Sequence, residues 1–513
     1  MQNSWFVVVP PILVLLLSMT THRIILSLFA GLASATLIFH DFAIIPAIKT
    51  TFFRLWEIIQ LDHFLSWDAF WKSSNLFIYL FLLFLGIIIV LIRQSGGTQA
   101  YARFIYPKLK DKKAAETSSL ILSLILFMDE YLNILTVGSI MHPLTDRFKI
   151  PRAKLAFLVN AMAASLCIIV PISSWGAFIL LQLDNSGISP APGPGALILA
   201  TPLNIFVQAI PFAFYSLIII ASLFFIVRKK ISFGPMRTQE LIAEKTGNLY
   251  GGKMPKMTPH KVSKENASLL DFLFPLILLV SSVLISLVAT NFVAERALFI
   301  GGSITLTASI IFYLIRKSIT FKQLINIFAQ GVELMAPSLI VITLAWTFGS
   351  ILTNDLMTGQ FLASKMTGMI SIPLFPLLFF VVTTLTTLAI GSAWGSMAIM
   401  FPIAIPMLVT LHQASPPILL TDIPSVLPTI AAILTGAVAG IHFSPISDVV
   451  IMAATSTGAH HIDHIKTQQI YILPVFFASC VSFFLSGLLL EQQAYINVFV
   501  SLGVGLGIAF LIY

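Results

Sequence analysis

The 513-residue chain is 58% hydrophobic and only 10% charged, with a mean hydropathy of +0.97. Soluble domains carry about 25% charged residues, so these figures exclude a soluble domain and point to an all-α polytopic membrane protein. The net charge of +8 does not point to nucleic acid, because the basic residues gather in a few loops, the pattern that orients a chain in a membrane.

Spans of about 20 apolar residues recur along the whole sequence, without the alternating decamers of a membrane barrel. Cys167 and Cys480 both lie in apolar segments and form neither a disulfide framework nor a metal-binding spacing. The first 21 residues lack a basic n-region and a clear cleavage site, so they are expected to form a first membrane helix rather than a leader.

In chain order, spans are expected at 5–20 and 24–39, with His22 and Arg23 between them. Segment 40–72 carries Trp56, Trp67 and Trp71 and suits the membrane interface. After a span at 73–92 come Arg93, Arg103, Lys108, Lys110, Lys112 and Lys113, a cytoplasmic signature. Segment 118–145 is apolar on both sides of Asp129-Glu130-Tyr131-Leu132-Asn133 and has basic residues at both flanks. A single crossing would put one basic flank outside, so a re-entrant hairpin is expected, with its polar tip near the midplane. Segment 153–182 then crosses outward and breaks at Pro171-Ile172-Ser173-Ser174. Span 203–227 returns inward. Residues 228–266 hold nine Lys or Arg against three Glu, a cytoplasmic linker that connects and orients the halves or contacts lipid headgroups or a partner.

The second half repeats the plan upside down. Spans 269–290, 297–315 and 331–352 precede segment 372–411, whose tip reads Gly391-Ser392-Ala393-Trp394-Gly395-Ser396. This is a second hairpin, entering from outside. Segment 424–458 breaks at Pro445-Ile446-Ser447-Asp448, and spans 469–490 and 494–512 finish the chain. The expected architecture has about eleven transmembrane helices, two re-entrant hairpins and inverted-topology repeats. The N-terminus is outside and the C-terminus cytoplasmic. The units are 1–72, a first repeat at 73–227, the linker 228–266, two helices at 267–330, a second repeat at 331–490 and a last helix at 491–513.

Matching breaks in two halves are the sequence mark of a transporter site between repeats, because lipid cannot satisfy the freed backbone groups. Four polar clusters are expected to converge. The first is the tip Asp129, Glu130, Asn133 with Thr136, Gly138 and Ser139. The second is the break Ser173-Ser174. The third holds Thr387, Gly391 and Ser392, and the fourth Ser444, Ser447 and Asp448. Carboxylates, hydroxyls, a carboxamide and free carbonyls make a hard-oxygen environment that suits Na⁺ or H⁺. Ion coupling is assigned to Asp129, Glu130, Asn133, Thr136, Ser447 and Asp448, and a sodium ion to Asp129, Asn133, Ser173 and Asp448.

Bland roles stand beside these. Asp448 is a good helix N-cap, hydroxyls near a proline break re-satisfy carbonyls, and the glycines allow tight turns. Trp175 and Trp394 are expected to pack beside the tips. Asn160 and His442 suit interhelical contacts, and His442 also has the proton affinity for a proton-linked role. The run His460, His461, Asp463, His464 has i, i+4 spacing, yet lacks the Glu that a zinc-protease signature requires after its first His. A cytoplasmic mouth or a plain polar turn fits it better than a catalytic metal.

Phe443-Ser444-Pro445-Ile446-Ser447-Asp448, followed by His461-Ile462-Asp463-His464, resembles the NhaC family of Na⁺/H⁺ antiporters. So does Asp129-Glu130-Tyr131-Leu132-Asn133-Ile134-Leu135-Thr136-Val137-Gly138, which continues through Pro143 and Asp146 to Trp175. The resemblance spans roughly residues 70–490. It implies a secondary antiporter of a cytoplasmic membrane, a homodimer with a static scaffold and a moving transport domain. This chain differs from the family at Ile441, where an acid is usual, at Phe443, where Cys is usual, and at Val449 and Val450, where hydroxyls are usual. The second cluster thus offers fewer oxygens. Na⁺/H⁺ exchange is the leading expectation, with no cofactor beyond the ions carried and membrane lipid as surroundings. Na⁺- or H⁺-coupled transport of a small organic acid or amino acid is the alternative. A channel would conduct without coupling, and an enzyme would need a catalytic constellation that only the His460–His464 run approaches.

Overall fold

The computed structural model describes residues 4–21, 23–193, 195–254, 267–366, 371–412 and 416–513. His22 and the linker residues Lys256, Lys261, Lys264 and Glu265 lie outside the described residues. The chain is a polytopic helical membrane protein. Among the described residues nine helices are long and apolar enough to cross a membrane, or ten with the bent pair Pro202–Phe212 and Phe214–Thr246. Two of the nine are the legs of the second hairpin. The apolar helices Trp5–Leu17 and Ile24–Phe39, where the first two spans are expected, are shorter than these.

Both hairpins form where polar tips interrupt apolar runs. The first has legs Lys112–Ile125 and Glu130–Asp146; the second has Phe375–Ile390 and Ala393–Leu411. At 1.5 Å per residue the first legs reach only about 21 and 26 Å, short of a hydrocarbon core of about 30 Å. Each hairpin is followed by a broken helix: Arg152–Cys167 with Ser174–Asn185, and Val426–Phe443 with Asp448–Thr457. Burial separates inner from outer helices. The hydrophobic windows of Ser74–Ser95 and Val426–Phe443 are 78% and 89% buried, whereas that of Ala494–Ile512 is 22% buried and presents Phe499 and Leu511 outward. Such apolar outer faces suit lipid. Helix Ile44–Ile59, in the expected interfacial stretch, exposes Ile44, Ile48, Phe52 and Trp56 along its length.

Four features depart from the sequence expectation. The span expected at 331–352 starts ten residues earlier, at Phe321, where Thr320 and Gln323 form a capping box, and it runs to Ser350. A π-helical turn Ile351–Asp355 and a helix Thr358–Met366 follow, in a stretch whose Asn354, Asp355 and Lys365 mask its helical character. Three two-residue strands, Ile188–Ser189, Ile198–Leu199 and Ile418–Leu419, pair in parallel. They tie the loop after the first broken helix to the loop before the second, so these two ends lie on one side.

The linker is the fourth departure. Residues Gly234–Thr246 form a helix that packs on His461–Leu488 and buries Met236, Gln239, Glu240 and Ala243. Glu240 Oε1 accepts from Lys154 at 2.7 Å and lies 3.1 Å from Lys112 Nζ, and Lys154 also pairs with Glu116 at 2.8 Å. Arg152 donates its backbone N–H to Leu249 O at 3.0 Å, pairs with Asp146 at 2.6 Å and donates a guanidinium N–H to Thr457 O. Lys253 pairs with Asp463 at 2.7 Å. The linker therefore joins both ends of the first hairpin, the start of the first broken helix and His461–Leu488, where the sequence suggests a simple connector or a lipid or partner contact.

Candidate functional site

A broken helix must satisfy the backbone groups it frees. At the first hairpin, Asp129 caps the second leg, with Oδ1 accepting from Leu132 N at 2.8 Å. Asn133 closes the first leg by donating to Ser123 O at 2.8 Å and Leu126 O at 3.3 Å. The first break clasps this tip: Ser174 N donates to Met128 O at 2.9 Å and Cys167 Sγ to Phe127 O at 3.3 Å. Ser173 spans the break, donating to Cys167 O at 2.8 Å and accepting from Gly176 N at 2.9 Å.

The second hairpin has the same geometry built from smaller residues. Gly391 ends the first leg in the left-handed region, φ +76°, and its N–H reaches Thr387 O at 2.7 Å. A side chain there would stand 2.9 Å from Ile446 Cγ1. Ser392 caps the second leg by accepting from Gly395 N at 3.3 Å. Ser444 Oγ donates to Leu388 O at 3.0 Å and so clasps the second break to the tip. Thr387 Oγ1 bonds back to Thr383 O at 2.8 Å and its Cβ faces Gly440.

The two halves then meet. Ser456 Oγ donates to Ile134 O at 2.9 Å, where Gly138 lets the helices approach closely. Tyr131 Oη donates to Asp448 Oδ2 at 2.5 Å, and Asp448 Oδ1 accepts from Val449 N at 2.9 Å. Between the halves lies a cavity of about 190 Å³. Its walls include Glu130, Tyr131, Trp175, Pro337, Ser338, Gly391, Ser392, Trp394, Ile441 and Asp448. A small void of about 10 Å³ beside it touches Asp129, Glu130, Ser174 and Ser338. Glu130 is 3% exposed and its Oε1 has no hydrogen-bond partner among the described residues. Asp448 is exposed to the cavity. No Lys, Arg or His lines either space among the described residues.

Of the residues singled out by sequence, Glu130, Gly391, Ser392 and Asp448 line the cavity, and Asp129 and Ser174 line the void with Glu130. Asn133, Thr136, Gly138, Ser139, Ser173, Thr387, Ser444 and Ser447 line neither. Most of them serve the backbone or the helix contacts just described; Ser139 Oγ bonds to Thr136 O at 3.1 Å. Tyr131, Pro337 and Ser338 escaped the sequence reading. The proline inside an apolar span, followed by Ser338, was the available signal. His442 Nδ1 pairs with Tyr215 Oη at 2.9 Å, and Gln468 bridges Asn160 to His442 O at 3.0 and 2.7 Å, all buried between helices. His460 and His461 contact the carbonyls of Met254 and Pro445 at 3.0 and 2.8 Å, and Asp463 holds Lys253, so the run faces several directions.

The model of the Na⁺/H⁺ antiporter family matches residues 195–488. The chain belongs to that family. This Na⁺/H⁺ antiporter family member is a secondary transporter, and the match covers the second hairpin and the second break with Asp448. A protein of Haemophilus influenzae, described only as uncharacterized, is 27% identical over 505 residues, 95% of this chain and 91% of its own. Among solved structures, the YdaH transporter of Alcanivorax borkumensis is 15% identical, with TM-score 0.47, covering 83% of this chain and 90% of its own. MtrF of Neisseria gonorrhoeae is 15% identical, with TM-score 0.40, covering 87% and 85%.

Proposed function

We propose that this antiporter exchanges Na⁺ for protons by alternating access, with Glu130 and Asp448 holding the two cations in turn. The observation that carries this reading is the meeting of Glu130, from the first half, and Asp448, from the second, on one cavity without a basic residue among its described walls. Acids at such depth are costly unless they do work. One carboxylate site does not hold a proton and Na⁺ together cheaply, so each ion displaces the other.

Local charge supports a monovalent cation. Four helices begin at the cavity or the void, at Glu130, Ser174, Ala393 and Asp448. Each N-terminus carries about +0.5 of an elementary charge, so four offset roughly two of the three carboxylates Asp129, Glu130 and Asp448. About one negative charge then remains for a proton or Na⁺ to neutralise. A free carboxylate solute would find no basic side chain there. The basic linker argues for a cytoplasmic linker and C-terminus in a cytoplasmic membrane, with the N-terminus outside.

The test is Na⁺-driven proton movement in proteoliposomes containing a pH dye, with wild type and Asp448→Asn. Wild type is expected to dissipate an imposed pH gradient when Na⁺ is added, and the variant is not. A silent wild type, or an Asp448→Asn variant as active as wild type, would sink the proposal.

A further inference from the structure

We propose that the cavity accepts a small organic ammonium ion, a quaternary or alkylated amine, in place of Na⁺ as the cation exchanged for protons; this rests on the cation/proton reading above. The first ground is size. A cavity of about 190 Å³ is many times the roughly 10–15 Å³ that one water needs on the same measure, so a bare alkali ion leaves most of the space unfilled. The cavity is also smaller than the 300 Å³ or so at which drug-sized sites begin, which limits the guest to a compact molecule.

The second ground is the chemistry of the walls. A dehydrated alkali ion asks for a shell of oxygens. Here Ile441 and Val449 present hydrocarbon, and three aromatic side chains, Tyr131, Trp175 and Trp394, share the lining with the two carboxylates. Trp394 meets the buried Trp175 edge to face, with ring centroids 6.1 Å apart and 72° between the planes, and Phe178 backs Trp394 at 4.8 Å, so this wall of the cavity is an aromatic cluster. Aromatic rings attract a cation through their quadrupole, and several rings around one site are the known means of holding quaternary ammonium groups. Methyl groups on nitrogen satisfy the apolar wall while the charge faces the carboxylates.

The third ground is Glu130 itself. Its Oε1 is buried without a hydrogen-bond partner among the described residues, so the pocket presents an acceptor that a guest cation or a proton completes. The same space thus holds a proton on Glu130 or an ammonium ion beside it, which is the competition that exchange requires.

Tetramethylammonium is the probe of choice. It cannot lose a proton and cross the bilayer as a free base, so it does not collapse a pH gradient by permeation. Proteoliposomes of the full chain, and protein-free liposomes, are challenged with tetramethylammonium chloride or NaCl across a pH gradient. The expected result is saturable, protein-dependent proton movement with tetramethylammonium, at an apparent affinity on the order of tenfold better than for Na⁺. Trp394→Leu lowers that affinity ratio on the order of tenfold and Trp394→Phe restores it, with monodisperse elution confirming that both variants fold. Sodium-driven movement with no response to tetramethylammonium overturns the inference and leaves Na⁺/H⁺ exchange standing. A response to tetramethylammonium alone supports the inference and removes Na⁺ from the reading above. If neither cation moves protons, both readings fall.

Discussion

At the first hairpin the turn is closed by Asp129 and Asn133; at the second it is closed by Gly391 and Ser392. Both turns are clasped by the broken helix that follows, through Ser174 N in one half and Ser444 Oγ in the other. The backbone problem is the same and the solutions are not. The first half spends polar side chains on its turn, carries its acids there and is tied to the linker by buried ion pairs. The second half makes its turn with a left-handed glycine and hydroxyls, makes no ion pair in its hairpin among the described residues, and keeps its acid at the break. A shared scaffold thus fixes where helix ends meet, while side chains decide which half brings charge to which end.

The largest expected effect tests the buried charge of the first half. Lys154→Met leaves Glu116 and Glu240 without their shared cation, a loss of about 3–5 kcal/mol. It should lower the thermal midpoint of the purified protein well below that of any hydroxyl-to-alanine change in the second hairpin. Next come the acids across the cavity. Glu130→Gln and Asp448→Asn should each reduce exchange on the order of 100-fold, with the double variant little worse, because groups acting as one unit are not additive. A double variant much worse than either single would mean that the halves act separately.

At the turns themselves, Gly391→Val forces a β-branched residue to φ +76° against Ile446, at about 1–3 kcal/mol. Asp129→Asn, its counterpart, keeps the cap, since Asn caps as well as Asp, and the thermal midpoint should hardly move. The smallest contrast is Asn133→Ala against Ser444→Ala. The first releases two carbonyls and the second one, so losses of about 2 and about 1 kcal/mol are expected in denaturation of the detergent-solubilised protein.

Much of this contrast was legible in the sequence, because Asp, Pro and Gly-Ser stand out against apolar runs. The tips at 129–133 and 391–396 and the breaks at Pro171 and Pro445 fall where composition put them. What escaped were contacts between distant elements. Nothing local ties Tyr131 to Asp448, and Ser338 enters the cavity only because Phe321–Ser350 passes beside both tips. Ser173 suits a cation ligand or a partner for freed carbonyls, and Cys167 O and Gly176 N claim its hydroxyl; Asn133 commits its amide N–H groups to Ser123 O and Leu126 O, and neither residue lines the cavity. In the sequence the linker shows only as a basic connector, because its lysines outnumber its acids. Folding into a helix buries Glu240 against Lys154, a pairing that charge counting does not reveal.

The three short parallel strands fasten the end of the first broken helix to the start of the second, and at the other extremity Arg152 fastens the start of the first to the end of the second. The two broken helices are therefore laced together at both ends, like the rails of a ladder held by its outermost rungs. Bending at Pro171 or Pro445 would have to break a rung, whereas sliding the laced pair past Phe321–Ser350 leaves both rungs whole.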